Sequence, residues 1–192
     1  MEILRTANAG VLLKLDGVSI LLDGVCQEVY PYLATPEAVK EQLSGCWPDV
    51  LAFTHSHKDH YDPDFAACYQ RQANGVILGP EGLPGVNTVQ RPVSVGNVRI
   101  TPVNSRHLGK AGLTEPHMSF VIQGSACIWF LGDAAPLQWH TKSELPGPDV
   151  LIVPYAYVLT EAAWNATKQL GADQVVLVHM PLETMEDRKS VV

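Results

Sequence analysis

The sequence has no cluster of basic side chains, and charged residues of either sign are sparse. It contains 13 Lys and Arg against 20 Asp and Glu, which gives a formal net charge of −7 over 192 residues. Proteins that bind nucleic acids neutralise phosphates with clustered Lys and Arg, whereas the basic residues of this chain are scattered. We therefore expect no nucleic-acid partner.

The sequence also lacks a long apolar run and any closely spaced pair of cysteines. Its longest mostly apolar stretch, residues 150–159, is far shorter than the roughly 20 residues that a membrane-spanning helix needs. The first residues show no basic segment followed by an apolar run, which is the pattern of a signal peptide. Two disulfides are arithmetically possible for the four separated cysteines, Cys26, Cys46, Cys68 and Cys127, but four buried free thiols in a reducing compartment are expected instead. These absences favour a cytoplasmic protein without a membrane partner.

Short apolar runs bounded by turn residues predict many strands. Asp16-Gly17 separates two such runs, 11–15 and 18–23, and this is a strong hairpin signal that gives the first two strands. The four residues Pro-Asp-Val-Leu open two later strands, at 48–51 and 148–151. This repetition suits a fold of two related halves, and it equally suits two unrelated strands that begin with common residues. Further strands are predicted over 50–53, 75–78, 89–93, 98–103, 119–122, 126–131, 150–153 and 175–178.

Helix signals alternate with these strands. One helix is predicted to begin at Thr35-Pro36-Glu37, with Thr35 as its cap and Pro36 at its first position, and to end near Gly45. Asp62-Pro63 begins a second helix in the same manner. The alternation predicts a mixed α/β fold of sheets covered by helices, and no linker divides the chain, so we expect one domain over residues 1–192. The second helix continues through 65–72, a third covers 160–170, and a short one follows Pro181.

The main group of candidate metal ligands lies in the run Thr54-His55-Ser56-His57-Lys58-Asp59-His60. In an extended segment, residues two apart point the same way, so His55, His57 and Asp59 line one side. A turn at His60 would direct its ring, together with Asp59, into a neighbouring position. Imidazole and carboxylate without thiolate suit Zn, Fe, Mn or Co rather than a closed structural zinc site. The alternative, a solvated polar turn, explains this rare spacing poorly.

Three more candidate ligands each follow an apolar strand. His107 comes after the run ending at Val103, Asp133 after 128–132, and His179 after 175–178. A single histidine at the end of a strand is more often a surface or structural residue. Together with the first motif, however, these three predict a second set of ligands at the edge of the sheets.

This ordered series resembles the motifs of the metallo-β-lactamase superfamily. The resemblance implies a four-layer αββα sandwich, of the α/β class or α+β in some schemes. It implies that one metal is bound by His55, His57 and His107, and that Asp133 bridges to a second metal. The run His60-Tyr61-Asp62-Pro63 has proline where the commoner form has glycine, and it is similar to the branch that contains ascorbate-6-phosphate lactonase. The ligands implied for the second metal are Asp59, His60 and His179.

The function implied is that of a dinuclear metal-dependent hydrolase. A hydroxide that bridges two divalent metal ions, Zn first and Mn or Fe as alternatives, would attack a small ester, lactone or phosphodiester-like substrate. Asp59 and Asp133 are the expected catalytic residues, because they would orient the hydroxide and relay its proton. The substrate is expected to be a small molecule, and an anionic group on it is compatible with the site.

Two other functions stay open. A mononuclear-iron oxidoreductase, similar to persulfide dioxygenases, would use His55, either His57 or His107, and Asp133. The di-iron oxygen reductases of the superfamily typically have glutamate in place of His57, which disfavours their chemistry. A non-catalytic metal-binding protein on the same scaffold is the third possibility, although catalytic sites keep open positions where structural sites are closed.

Several further polar residues have open roles. Asp23 is expected to steady a ligand histidine rather than to bind metal itself. Arg106 and Lys110 flank His107 and would either contact an anionic substrate or remain solvated. Two histidines outside the motifs and two tyrosines after the strand at 150–153 are either site residues or structural ones: His117, His140, Tyr155 and Tyr157.

Overall fold

The computed structural model describes residues 1–73, 75–110, 114–141 and 144–181, with the backbone alone at 140 and 141. Five strands of the described residues form a first sheet: β1 Glu2–Arg5, β2 Val11–Leu15, β3 Val18–Leu22, β4 Val50–Ala52 and β5 Val76–Leu78. Six form a second: β6 Val93–Val95, β7 Val98–Arg106, β8 Pro116–Gln123, β9 Cys127–Phe130, β10 Val150–Pro154 and β11 Gln174–Val178. The helices are α1 Glu37–Gly45, α2 Pro63–Gln72 and α3 Glu161–Gln169.

The two sheets pack face to face, and helical segments cover their outer faces. Ile20 and Phe120, from opposite sheets, are fully buried in the core between the sheets. The next residue along β3, Leu21, points the other way and packs in a cluster with Phe65 of α2. Outside the second sheet, Trp129 packs in a cluster with Trp139 of the 3-10 helix Pro136–Thr141. The predicted four-layer αββα sandwich is confirmed.

The strand order follows the chain within each sheet. The first sheet has the order β1-β2-β3-β4-β5, and the second has β11-β10-β9-β8-β7-β6. β3, β4 and β5 are parallel, as are β9, β10 and β11, and the remaining pairs are antiparallel. Because β7 is antiparallel to β8 and β8 to β9, the strands β7, β9, β10 and β11 all end at the same edge of the second sheet.

The helix-start predictions were right for α2 and wrong in detail for α1. The carboxylate of Asp62 accepts hydrogen bonds from the backbone N–H groups of Asp64 and Phe65, at 3.1 and 3.2 Å, so it caps α2. Thr35 does not cap α1, which begins at Glu37 without a side-chain cap. Its hydroxyl instead accepts from the backbone N–H of Cys26 at 2.9 Å and fixes the preceding loop.

Two strand predictions need correction. The predicted strand 89–93 is divided between the sheets: Val89 forms a single bridge to Leu78, and β6 starts only at Val93 in the other sheet. Pro92 lies between them and has no N–H for a ladder. The sequence also predicted two strands before residue 23, whereas β1 adds a third at the edge of the first sheet. β1 was missed because it is mostly exposed and lacks an alternating apolar pattern.

The repeated Pro-Asp-Val-Leu segments occupy equivalent places in the two sheets. Asp49 accepts a hydrogen bond from the backbone N–H of Ser19 at 2.8 Å, on the neighbouring parallel strand. Asp149 accepts from the backbone N–H of Cys127 in the same way, at 2.6 Å. Each aspartate therefore connects the starts of two neighbouring parallel strands by a hydrogen bond, as expected for two related halves.

The four cysteines are unpaired, as predicted for free thiols. The expectation that all four are buried was wrong: Cys26 is buried, Cys68 and Cys127 are partly exposed, and Cys46 is exposed because it lies at the C-terminal end of α1. Over the described ranges, we find no helix with the length and apolar character needed to cross a bilayer. The short helix predicted after Pro181 falls on residues outside those ranges.

Candidate metal centre

The candidate ligands lie at one edge of the two sheets, where several strands end. The segment after the buried strand β4 carries His55, His57, Asp59 and His60. His107, Asp133 and His179 follow β7, β9 and β11, which end at the same edge of the second sheet. The backbone N–H of Leu108 donates to the carbonyl of Asp133 at 2.7 Å and so ties two of these strand ends together.

The structure brings all seven candidate ligands into one cluster. Its ligand atoms form three sets of three, and within each set they lie within 4.8 Å of one another. One set is His55, His57 and His107, another is Asp59, His60 and His179, and a third is His55, His60 and Asp133. The first two are the sets that the family resemblance implied for two metal ions.

Asp133 lies between these sets. One of its carboxylate oxygens, Oδ2, is 3.6 Å from Nε2 of His60, 3.7 Å from Nε2 of His107 and 3.6 Å from Nε2 of His179. The carboxylate is therefore nearly equidistant from histidines of both sets. Nε2 of His179 is also 3.0 Å from Oδ2 of Asp59, the other carboxylate of the cluster.

A buried hydrogen-bond network orients the rings of His55 and His60. Asp23 accepts from the backbone N–H and the hydroxyl of Thr54, at 2.8 and 2.7 Å, and from Nδ1 of His60 at 2.8 Å. Because the Thr54 hydroxyl donates to Asp23, its oxygen accepts from Nδ1 of His55, at 2.8 Å. Both rings therefore carry a proton on Nδ1 and turn Nε2 towards the cluster. Asp23 contacts His60 as predicted.

Hydrogen bonds to backbone carbonyls hold His107 and His179 at the strand ends of the second sheet. Nδ1 of His107 donates to the carbonyl of Leu108 at 2.7 Å, which again leaves Nε2 free to act as a ligand. His179 has a left-handed backbone with φ of 61°, and its N–H donates to the carbonyl of Asn8 at 2.9 Å. Non-glycine residues rarely adopt this conformation, and those that do often lie at functional sites.

Gly132 allows the Asp133 segment to approach the first sheet. Its φ is 53°, and a Cβ atom at this position would lie 2.5 Å from Cγ2 of Thr54. Any larger residue would clash with the network that orients His55 and His60. Glycine is therefore required here both for the backbone conformation and for the close contact.

His117, whose role the sequence left open, is the sixth histidine of the cluster. Its ring centroid lies 5.1 Å from that of His55, and it is almost fully buried. The Ser119 hydroxyl donates to the carbonyl of Leu131 at 2.9 Å, so it accepts from Ser105 at 2.9 Å. The Ser105 oxygen must then accept from Nδ1 of His117, at 2.7 Å. His117 consequently has the same proton position as His55 and His60, although it belongs to none of the three ligand sets found among the described residues.

Burial and the neighbouring charges move the pKa values in opposite directions across the cluster. Burial lowers the pKa of His55 well below its usual value, and the nearby His60 and His117 lower it further. Burial would also lower the pKa of His60, but the carboxylates of Asp133 and Asp23 outweigh it and raise this pKa well above the usual value. Burial raises the pKa of Asp133, whereas His60 and His179 lower it more, so this carboxylate stays charged.

We expect His117 to make the metal-free protein sensitive to acid. Burial lowers the pKa of His117 to about 3, whereas a histidine of the unfolded chain titrates near 6.5. Between pH 6.5 and pH 3, this histidine binds a proton in the unfolded chain but not in the folded protein. The free energy of unfolding therefore falls as the pH drops from 6.5 towards 3. At pH 4.5, two pH units below 6.5, the resulting loss of unfolding free energy is about 2–3 kcal/mol.

Chelator-treated wild type and His117→Gln test this prediction by urea unfolding between pH 7.5 and 4.5. The wild type should lose about 2–3 kcal/mol more unfolding free energy than the variant over this range. His55 and His60 are present in both proteins, so the difference between the two curves reports the titration of His117 together with its effect on the pKa of His55. Parallel curves would show that His117 accepts a proton in the folded state.

The donor set fits bound metal ions. In the part of the chain that the structure describes, five imidazole nitrogens are buried without a hydrogen-bond partner: Nε2 of His55, His60, His107, His117 and His179. Buried polar atoms nearly always have a partner, so such a concentration at one place requires explanation. Nitrogen lone pairs beside two carboxylates are the donors that Zn, Mn and Fe accept.

The other residues singled out by the sequence lie around the cluster or away from it. Tyr157 is buried, and its hydroxyl donates to the carbonyl of Ala134 at 2.6 Å, so it is a structural residue. Tyr155 is partly exposed. Arg106 and Lys110 are both exposed. The side chain of His140 is not among those described.

Sequence reasoning missed two residues beside the cluster. The ring of Tyr32 contacts the ring of His179 edge-on, with centroids 4.4 Å apart. Glu115 accepts from the backbone N–H and hydroxyl of Ser56, and its other oxygen is 4.0 Å from Nε2 of His57. Neither residue follows a strand or a motif, so no local pattern indicated it.

The family model described as the β-lactamase superfamily domain matches residues 4–179. The chain belongs to this superfamily. The match includes both sheets and all seven candidate ligands, in the order that the sequence resemblance implied. A search of curated proteins gives no match.

Solved structures of low sequence identity share the superfamily fold. An isothiocyanate hydrolase from Delia radicum gut bacteria has a TM-score of 0.67 and 18% identity, covering 94% of this chain and 85% of its own. The metallo hydrolase Igni18 from Ignicoccus hospitalis has a TM-score of 0.64 and 18% identity, with coverages of 92% and 81%. CmlA, a diiron β-hydroxylase from Streptomyces venezuelae, has a TM-score of 0.60 and 17% identity, with coverages of 93% and 44%. Their likeness to this chain is one of fold.

Proposed function

We propose that this superfamily member is a metal-dependent hydrolase with two metal ions in its active site. His55, His57 and His107 would bind the first ion, and Asp133 would reach both. The observation that carries the proposal is the pair of ligand sets on either side of one partly buried carboxylate, that of Asp133. The second ion would be bound by Asp59, His60 and His179.

The chain's own residues would place and activate the nucleophile. Bound zinc supplies a hydroxide near neutral pH, because it lowers the pKa of water from 15.7 to about 7. Asp59 and Asp133 present carboxylate oxygens on the cluster, where they can orient a water molecule and accept its proton. Asp23 fixes His60, and through Thr54 also His55, so the ligand rings need no rearrangement.

Small esters, lactones and phosphodiester-like molecules are the proposed substrates. All have an electrophilic carbonyl or phosphoryl centre, which a metal ion held by the two ligand sets would polarise for attack by a hydroxide. Lactones are favoured by the run His60-Tyr61-Asp62-Pro63, which resembles the branch of ascorbate-6-phosphate lactonase. An isothiocyanate should be included among the test substrates, because one structural relative is an isothiocyanate hydrolase.

Metal analysis combined with a substrate panel tests the proposal. The full chain is loaded with Zn, Mn or Fe, its metal content is measured, and it is assayed on lactones, esters, phosphodiesters, thioesters, β-lactams and an isothiocyanate. We expect about two Zn or Mn per chain and hydrolysis of at least one class. One Fe per chain with oxygen consumption would instead indicate the mononuclear oxidoreductase. Bound metal with no turnover of any substrate would indicate a non-catalytic metal-binding protein.

A further inference from the structure

A large groove lies beside the first ligand set, which consists of His55, His57 and His107. It has a volume of about 950 Å³, and its walls come mainly from the loop after β5, the end of β7 and the start of β8. His117 belongs to its lining, and the ring of His117 contacts the ring of His55. Substrate pockets of enzymes have volumes of about 300–1,000 Å³, so the groove is large enough for a whole small-molecule substrate.

Glu115 connects this groove to the first ligand set. It directly precedes β8 and lines the groove, and Oε2 of its carboxylate lies 4.0 Å from Nε2 of His57. His57 is also the most exposed histidine of its set, with 41% of its side chain exposed. A substrate that extends from the groove to an ion on this set therefore passes the carboxylate of Glu115.

The carboxylate of Glu115 is anchored by one oxygen and open at the other. Oε1 accepts from the backbone N–H of Ser56 at 3.1 Å and from the Ser56 hydroxyl at 2.7 Å. Oε2 accepts no hydrogen bond from any described residue, and it is not one of the buried polar atoms without a partner, so it is open to solvent. Because an ionised carboxylate only accepts hydrogen bonds, Oε2 is a fixed acceptor beside the first ligand set.

Neither metal binding nor the support of Ser56 explains this second oxygen. Among the described residues, Glu115 belongs to none of the three ligand sets, although its Oε2 is close to one ligand nitrogen. The contacts with Ser56 involve Oε1 alone. Oε2 is therefore available to a donor group of a bound molecule.

The charges that line the groove favour a cationic or neutral molecule over an anion. Glu81 and Arg106 also belong to the lining, and both are exposed. Together with Glu115 they give two negative charges against one positive charge. Glu115 is anchored and only 19% of its side chain is exposed, so its charge is screened by solvent less than the other two.

We infer that Glu115 determines the specificity of the proposed hydrolase, an inference that rests on the proposed function. The groove holds the substrate, and Oε2 of Glu115 accepts a hydrogen bond from a donor group close to the scissile bond. The preferred substrates are esters or lactones that have a protonated amine at this place. A hydroxyl group is the weaker donor there, and a carboxylate is rejected.

Two series of small esters test the inference on the Zn-loaded wild type. One series varies the end group of the acyl part and the other varies that of the alcohol part, at constant chain length, as methyl, hydroxyl, ammonium or carboxylate. In one of the series, KM for the ammonium member should be about 10- to 100-fold lower than for the methyl member, the value of a hydrogen bond to a charged group. The hydroxyl member should lie between them, and the carboxylate member should have the highest KM.

Glu115→Gln and Glu115→Ala should remove the preference for the ammonium member. Glutamine has the same size, and its amide oxygen can still accept from Ser56, but its amide nitrogen cannot accept from a donor. Two variants are used because either one alone could fold poorly. Glu161→Gln is the matched control, since Glu161 is exposed at the start of α3, and it should keep the wild-type ratio of KM values.

A purely structural role of Glu115 gives a different result. If its carboxylate only supported Ser56 and the neighbouring ligands, both variants would lower metal content or kcat for all members of a series and leave the ratio of their KM values unchanged. Metal content is therefore measured for each variant beside kcat and KM. An unchanged ratio in both variants would overturn the inference.

The other outcomes separate the inference from the proposed function. If metal-loaded wild type hydrolyses no substrate of any class, the proposed function fails and the inference fails with it. If it hydrolyses only substrates other than esters and lactones, or if neither series shows the ammonium preference, the inference alone is wrong. The lowest KM for the carboxylate member would also refute it and would indicate recognition by Arg106.

Discussion

Asp133→Asn is expected to lower kcat/KM by at least about 1,000-fold, equivalent to about 4 kcal/mol of transition-state stabilisation. Among the residues that the structure describes, Asp133 is the one carboxylate within 3.7 Å of histidines from both ligand sets. Asparagine has the same size but no charge, and its amide nitrogen cannot bind a cation. Both metal positions should therefore be weakened by this single substitution.

The measurement combines metal content after dialysis with kinetics on the best substrate of the panel. Asp173→Asn is the matched control, because Asp173 is exposed. The control should retain the wild-type metal content and rate. If Asp133→Asn kept two metal ions and lost less than about tenfold in kcat/KM, Asp133 would not be the bridging ligand.

Asp23→Asn is expected to reduce metal affinity about 10- to 100-fold, although Asp23 is not a ligand. Its carboxylate accepts three hydrogen bonds, from Thr54 twice and from His60. Asparagine tolerates the left-handed backbone of this residue, whose φ is 46°, so the backbone should be preserved. Its amide nitrogen cannot accept from a donor, and the unpaired buried groups should also cost about 1–3 kcal/mol of stability.

Thr54→Val provides the comparison for this variant. It removes the hydroxyl that links Asp23 to His55 and leaves the contact between Asp23 and His60 intact. We therefore expect Thr54→Val to weaken mainly the first metal position and Asp23→Asn to weaken both. A stepwise titration with Zn, in which calorimetry measures each binding step, distinguishes the two patterns. Equal effects of the two substitutions on both binding steps would refute the proposed division of roles.

The sequence predicted those features that depend on neighbours in the chain. The cap at Asp62 and the hairpin at Asp16-Gly17 are local, and the structure confirms both. The grouping of His107, Asp133 and His179 could be anticipated because each lies within a few residues of the end of an apolar strand, and ends of parallel strands meet at one edge of a sheet. For these residues, position along the chain was sufficient.

Features that depend on tertiary partners were not predictable in this way. The segment 89–93, which was predicted as one strand, has a valine at each end, but which sheet each end joins depends on distant strands. Thr35 has the side chain of a helix cap, yet the Cys26 N–H competes successfully for its hydroxyl. Tyr32 and Asn8 reach the cluster only through the folding of their loops, and no spacing in the sequence indicates this.

The division of ligands between the sheets has a mechanical consequence. Four candidate ligands lie in one segment after β4 of the first sheet, and three follow strands of the second. Ions bound there would fasten the two sheets together at one rim, much as a disulfide would, whereas apolar packing and the hydrogen bonds from Ser125 to Asp16 join them elsewhere. Backbone amides near that rim should therefore exchange their hydrogens faster once a chelator has removed the metals, before those in the centre of the sandwich respond.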